Sequence, residues 1–162
     1  MRTIKFKGKS IEDGQWNYGD LSHVANQTLI KNDLCRDGRP KFTFEVDPQT
    51  VCQFTGILDK NGKDIYEGDV LRSDEYPYSD LEDDERDNYF AVVYYHEGYA
   101  RFVTVTITTP ESKVEGIWTG FHKDVLREEM KKFEVVGNIH EEKWQQYGEY
   151  FKTEEEKEAD ND

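Results

Sequence analysis

Cysteine is nearly absent from this sequence: Cys35 and Cys52 are the only two among 162 residues. Two thiols cannot build a disulfide scaffold, so packing and hydrogen bonds must hold the fold. A reduced, cytoplasmic setting is the default expectation. No run approaches the ~20 apolar residues of a membrane-spanning helix, so no membrane partner is expected. The chain opens with basic residues at Arg2, Lys5 and Lys7. No apolar stretch follows them, which argues against a secretory signal. No internal repeat is present. A chain of this length buries roughly 68–70% of its extended-chain surface, enough for a real core in one domain with a small appendage.

Signatures of chemistry are missing as well. Gly56-Ile57-Leu58-Asp59-Lys60-Asn61-Gly62-Lys63-Asp64 superficially resembles a phosphate loop. That loop needs four residues between its glycines and a Ser or Thr after the Lys. Here there are five, and Asp64 replaces the hydroxyl with a charge that repels phosphate. A calcium loop starting at Asp59 would need Gly at its sixth position and Glu at its twelfth. Asp64 and Val70 stand there instead. The carboxylates from Asp80 to Asp87 lack a turn that would preorganise oxygen ligands. Zinc needs paired ligands at close spacing, but Cys35 and Cys52 are 17 apart and His23, His96, His122 and His140 are scattered. No Gly-x-Ser-x-Gly elbow occurs. Cys52, next to Val51 and Phe54, reads as a small buried thiol rather than a nucleophile. No catalytic residue, cofactor or metal is therefore expected, and the chain is read as a non-enzyme.

What is abundant is acid. Against 21 Lys and Arg stand 35 Asp and Glu, a net charge of −14. The excess is local. Ser73 to Asn88 holds eight acids against Arg86, and Glu149 to Asp162 holds seven against two lysines. Subtracting those two segments leaves the other 132 residues at −2. Blocks of one charge stay solvated, so an acidic insert (73–88) and an acidic tail (149–162) are expected on a nearly neutral body. Nucleic acid is disfavoured as a partner, because a protein of this charge repels phosphate at long range. A local basic excess at Arg2, Lys5, Lys7 and Lys9, then Arg36, Arg39 and Lys41, keeps it as an alternative.

Short alternating runs separated by turn residues predict a mainly β protein. Arg2–Lys7 is one such run, and an Asp13-Gly14 turn leads into Trp16, Tyr18 and Leu21. Asn32 to Pro40 reads as a loop. Lys41 to Val46 alternates until Asp47-Pro48 ends it. Asn61-Gly62 predicts a tight hairpin with positive φ at both residues, and Glu67-Gly68-Asp69 a second turn. Tyr89–Tyr95, Tyr99–Ile107 and Phe133–Ile139 follow as strands. Helical spacing appears over His122–Lys132 and over His140–Phe151, where Trp144, Tyr147 and Phe151 share a stripe flanked by Tyr150. Gly148 weakens that second helix by about 1 kcal/mol.

Three separated stretches carry a resemblance. The first is Met1 to Lys9 with Gly14 to Gly19. The second runs through Val46 to Val51, Gln53-Phe54-Thr55-Gly56, Asp59 to Lys63 with Asn61 and Gly62, and Ile65-Tyr66-Glu67-Gly68-Asp69-Val70. The third is Val136 to Glu141. Together they resemble the YopX family of phage and prophage proteins. Cys52 stands where that family usually has Gly, and Glu141-Glu142-Lys143-Trp144 replaces its usual ending. The resemblance implies a small Src-homology-3-type β-barrel preceded by extra N-terminal β structure, and a phage or prophage origin. It supplies no catalytic residues. The expected layout is an N-terminal β region (1–52), a barrel (53–148) carrying the insert, and the tail.

The expected function is protein binding, self-association included, through Trp144, Tyr147, Tyr150 and Phe151. Tyr and Trp are enriched at such interfaces. Two alternatives stand beside it. One is a nucleic-acid-associated or regulatory module using the basic N-terminal positions. The other is an acidic decoy for a basic host protein.

Overall fold

The computed structural model describes residues 3–34, 40–74, 88–112, 122–124 and 127–148. The fold is mainly β, with antiparallel pairing throughout the described ladders. It divides into two compact units, Met1–Gly56 and Ile57–Asp162. The boundary lies four residues after the one expected from sequence.

Unit 1 is built from β1 (Phe6–Lys9), β2 (Trp16–Val24), β3 (Gln27–Leu34), β4 (Pro40–Glu45) and the start of β5 (Cys52–Leu58). β1 pairs with β2 and with β5, and β2–β3 and β3–β4 are hairpins. The Asp13-Gly14 turn joins β1 to β2 as expected, with Gly14 at φ 70° and the Asp13 carboxylate accepting from Gln15 N–H at 3.0 Å. β3 is the element that sequence misses. Asn32 to Leu34 belong to it and Pro40 opens β4, so both ends of the expected loop are strand, and residues 35–39 lie outside the described residues. The cause is pairing: Leu29 faces Glu45 and Asn32 faces Phe42, and ladder bonds override the weak strand preference of Asn and Asp. Ile30 and Val46 are buried in this unit, and Val46 packs on Gly8 where a larger residue would collide.

Unit 2 holds the rest of β5, then β6 (Asp64–Tyr66), β7 (Asp69–Ser73), β8 (Tyr89–His96), β9 (Arg101–Ile107), β10 (His122–Asp124), α1 (Arg127–Met130), β11 (Glu134–Asn138) and α2 (Gln145–Gly148). Five of these strands form one sheet in the order β10-β9-β8-β7-β11. Strand alternation gives this sheet two apolar faces. Leu71, Ala91 and Val93 pack with Ile65, Met130 and Phe133 on one side. Val70, Phe90, Val92 and Ile107 pack with Trp144 and Tyr147 on the other. Both faces being covered explains the almost unbroken apolar run of β8.

Three expectations need correction here. The helix expected over His122–Lys132 is a strand at His122–Asp124, paired with β9, and a single helical turn at Arg127–Met130. The second helix starts at Gln145 rather than His140 and is described to Gly148, and residues 149–151 lie outside the described residues. At the central hairpin only Gly62 has positive φ, at 80°. Asn61 does not, because the loop spans three residues. Asp59 N–H bonds Lys63 O, Gly62 N–H bonds Asp59 O, and the glycine takes the left-handed position after an ordinary turn. The acidic insert joins the paired strands β7 and β8, since Ser73 faces Tyr89. Residues 75–87 and the tail 149–162 lie outside the described residues.

Candidate functional site

The signature turn at Tyr66–Asp69 is where distant stretches of sequence meet. Asp69 is 1% exposed, and its carboxylate accepts from Tyr66 N–H at 2.8 Å and from Asn138 Nδ2 at 3.0 Å. Asn138 also donates to Glu67 O and accepts from His140 N–H. Ile139 N–H bonds Gly68 O at 2.9 Å, and Gly68 N–H bonds Val93 O at 2.7 Å. A buried carboxylate costs several kcal/mol unless it is hydrogen-bonded, and here each of its oxygens accepts one donor. The second and third family stretches are thus one hydrogen-bonded knot, clamped on β8.

Asp59 makes a second knot. It is 6% exposed, and its carboxylate accepts from Asn61, Lys63 and Val135 N–H at 2.8, 2.9 and 3.0 Å. It therefore shapes the hairpin and ties it to β11. Lys60 N–H adds a bond to Phe133 O. The signature residues serve architecture at both places.

The clamp positions the tip of the β8–β9 hairpin. Glu67 accepts from Tyr95 N–H at 3.3 Å. Beyond that point β8 ends, Glu97–Tyr99 forms one 3₁₀ turn, and Ala100 takes a left-handed φ of 50° to re-enter β9. Aromatic rings occupy both faces of this tip, Tyr94 and His96 on one and Tyr95 with Phe102 on the other. His96 stacks on Tyr99 at 4.2 Å, Tyr94 lies 6.0 Å from His96, and Tyr95 meets Phe102 edge-on at 5.4 Å. The Arg101 guanidinium lies 5.0 Å from the Tyr99 ring centroid. Tyr95 is 41% exposed and Tyr99 57%. Burial, and then the neighbouring Tyr99 hydroxyl, push the Tyr94 phenol above its ordinary pKa.

The sequence-predicted interface lies elsewhere. Trp144 is 3% exposed and Tyr147 7%, both packed with Phe90 and Val92 inside unit 2. Trp144 lies 6.0 Å from Phe90 and 5.9 Å from Tyr147. Gly137 makes room for the indole: a Cβ there would stand 2.2 Å from Trp144 Nε1. This half of the expected stripe folds back on its own sheet, and Tyr150 and Phe151 lie outside the described residues. Trp144 and Tyr147 meet the chain's own core. The sequence marks Tyr95 and Tyr99 only as ends of strand runs, since alternation alone does not say where a covering layer stops.

Of the remaining signature residues, Gln53 faces Phe6 on the β1–β5 ladder. Phe54 is buried under Lys5, whose Nζ is 4.4 Å from the ring, and Thr55 is buried too. Gly56 has φ 88°. Among the described residues no helix is long and apolar enough to cross a membrane, and no three His, Cys, Asp or Glu stand together as metal ligands.

Two antiparallel β units, the second knotted through Asp59, Asp69 and Asn138, define a mainly β protein whose marked positions hold its frame. The YopX protein family model matches residues 5–143, and the chain belongs to that family. The fold is similar to the crystal structure of protein EF1440 from Enterococcus faecalis, with a TM-score of 0.50 and 21% identity over 89% of this chain and 99% of that one. No curated protein matches.

Proposed function

We propose that this chain is a non-enzymatic accessory protein of a phage or prophage, working in the bacterial cytoplasm by binding protein, a second copy of itself included. One observation carries this reading. The β8–β9 tip holds Tyr95 and Tyr99 about half exposed, braced by Phe102, His96 and Arg101. Tyr and Arg are the residue types that dominate interface energetics, and rings already fixed by neighbours lose little entropy on docking. The tip is also held in place by the family's own turn through Glu67.

The test is light scattering across micromolar concentrations at two salt levels. Two bodies of −14 repel each other. Screening shortens that repulsion from about 30 Å at 0.01 M salt to about 8 Å at 0.15 M. Self-association should therefore strengthen with salt and weaken in Tyr99→Ala. A basic heterologous partner gives the opposite salt dependence. A protein that stays monomeric at every concentration and salt level rules out the second copy.

A further inference from the structure

Composition spoke against nucleic acid, but the strand register of unit 1 adds a fact that composition hides. β1 places Lys7 and Lys9 on one face at alternate positions, and Lys5 directly precedes the strand, two residues before Lys7. The neighbouring strand puts Trp16 opposite Lys9 and Tyr18 opposite Lys7 on that same face. Lys7 Nζ is 4.6 Å and Lys9 Nζ 5.6 Å from the Trp16 ring, so two cations share one indole. Lys7 is 5% exposed and serves as the fixed inner charge. Lys5, Lys9 and Trp16 are half-buried, and Tyr18 is 47% exposed. The acidity is also segregated. Residues 1–56 carry eight basic and seven acidic side chains, which leaves −15 on residues 57–162.

We propose that the β1–β2 face of unit 1 is a binding site for single-stranded nucleic acid, with backbone phosphates on Lys5 and Lys9 and bases stacked on Tyr18 and Trp16. Single-strand sites combine a cationic track with aromatic platforms, and this face has both side by side. The strand rise of ~3.4 Å per residue sets Lys5 and Lys9 ~14 Å apart along a straight line, a geometry suited to an extended strand and not to a duplex groove. Asp20 continues the row of β2 and faces Lys31 across the next ladder, closing the cationic track on that side.

The experiment is fluorescence anisotropy of a labelled oligo(dT) with the full chain at low salt. Parallel titrations use the duplex of the same length and a polyglutamate competitor. Binding should favour the single strand over the duplex. Each phosphate contact contributes a slope of about −0.7 in log affinity against log salt, so replacing Lys5 and Lys9 by Ala should flatten the slope by about 1.4. Tyr18→Ala should weaken binding about fivefold or more through lost stacking. It removes an exposed ring, and an unchanged thermal melt confirms that the fold persists. No binding at low salt overturns the proposal. So does an affinity indifferent to Tyr18, or equal competition by polyglutamate, which marks a plain anion surface. None of these outcomes depends on the β8–β9 tip.

Discussion

Replacing Gly137 by Ala tests the packing that removed Trp144 from the surface. The new Cβ would stand 2.2 Å from Nε1 and 2.5 Å from Cδ1 of the indole, where ordinary contact begins at 3.4 Å. The ring must therefore retreat by more than an ångström. Phe90 and Tyr147 are packed around it, at 6.0 and 5.9 Å between centroids. Overpacking of this kind costs about 1–3 kcal/mol, and complete loss of the indole's packing costs about 3–5 kcal/mol. We expect about 3 kcal/mol, a large part of a typical stability of about 5–15 kcal/mol. At about 2–4 °C per kcal/mol for a chain of this size, the Tm should fall by about 6–12 °C. The assay is urea unfolding followed by tryptophan fluorescence and near-ultraviolet circular dichroism. A double-mutant cycle with Trp144→Ala isolates the contact. With the indole gone, Gly137→Ala should cost less than about 0.5 kcal/mol, because the one remaining close atom, Glu141 Oε2 at 3.1 Å, is the end of a flexible side chain. A full-cost Gly137→Ala in the Trp144→Ala background, or a silent Gly137→Ala in the intact chain, would refute the reasoning.

Other outcomes follow from the same geometry. Asp69→Ala leaves the Tyr66 N–H and Asn138 Nδ2 without that acceptor and should cost about 3 kcal/mol in urea unfolding, since each stranded buried donor costs about 1–3 kcal/mol. Gly62 faces open space at φ 80°, so Gly62→Val should cost only backbone strain, about 1–2 kcal/mol in a thermal melt. Tyr94 should ionise above the ordinary tyrosine value in an ultraviolet titration, and Tyr99→Phe should bring it partway back down. Because its folded pKa is raised, the stability linked to Tyr94 is fully present below the unfolded value of about 10 and is lost as pH climbs through the folded one. An unchanged titration in Tyr99→Phe would remove Tyr99 as a cause.

Strand content was legible wherever one residue pattern matched one structural period. β4, β8, β9 and β11 follow alternating or continuous apolar runs, and the Gly14 and Gly68 turns announce themselves. β3 did not, because Asn32 and Asp33 carry turn chemistry and it is the β4 ladder that holds them extended. His122–Asp124 failed for the same reason in reverse: helical spacing gave way to pairing with Val103–Val105. The hairpin at Asn61-Gly62 was correct as a turn and wrong in its φ pattern, since the Asp59 carboxylate favours a three-residue loop and no sequence rule weighs that bond. The aromatic stripe was found but its target was not. Whether Trp144 meets its own sheet or another chain depends on Gly137, whose missing side chain leaves the socket.

The pairing of β7 with β11 has a consequence for how the protein is made. Leu71 must wait for Val135, and Asp69 for Asn138, before the sheet gains its last strand. At about 5–20 residues per second on the ribosome, that wait is roughly 3–13 s. During it β7 can pair with β8 while its other edge, built from Val70 and Leu71, stands open in a crowded cell. The Asp59 and Asp69 carboxylates hold their turns before β11 arrives, so the docking edge is shaped in advance. Assembly of unit 2 is in this sense a timed event: its final strand emerges last, and the two acids keep its place.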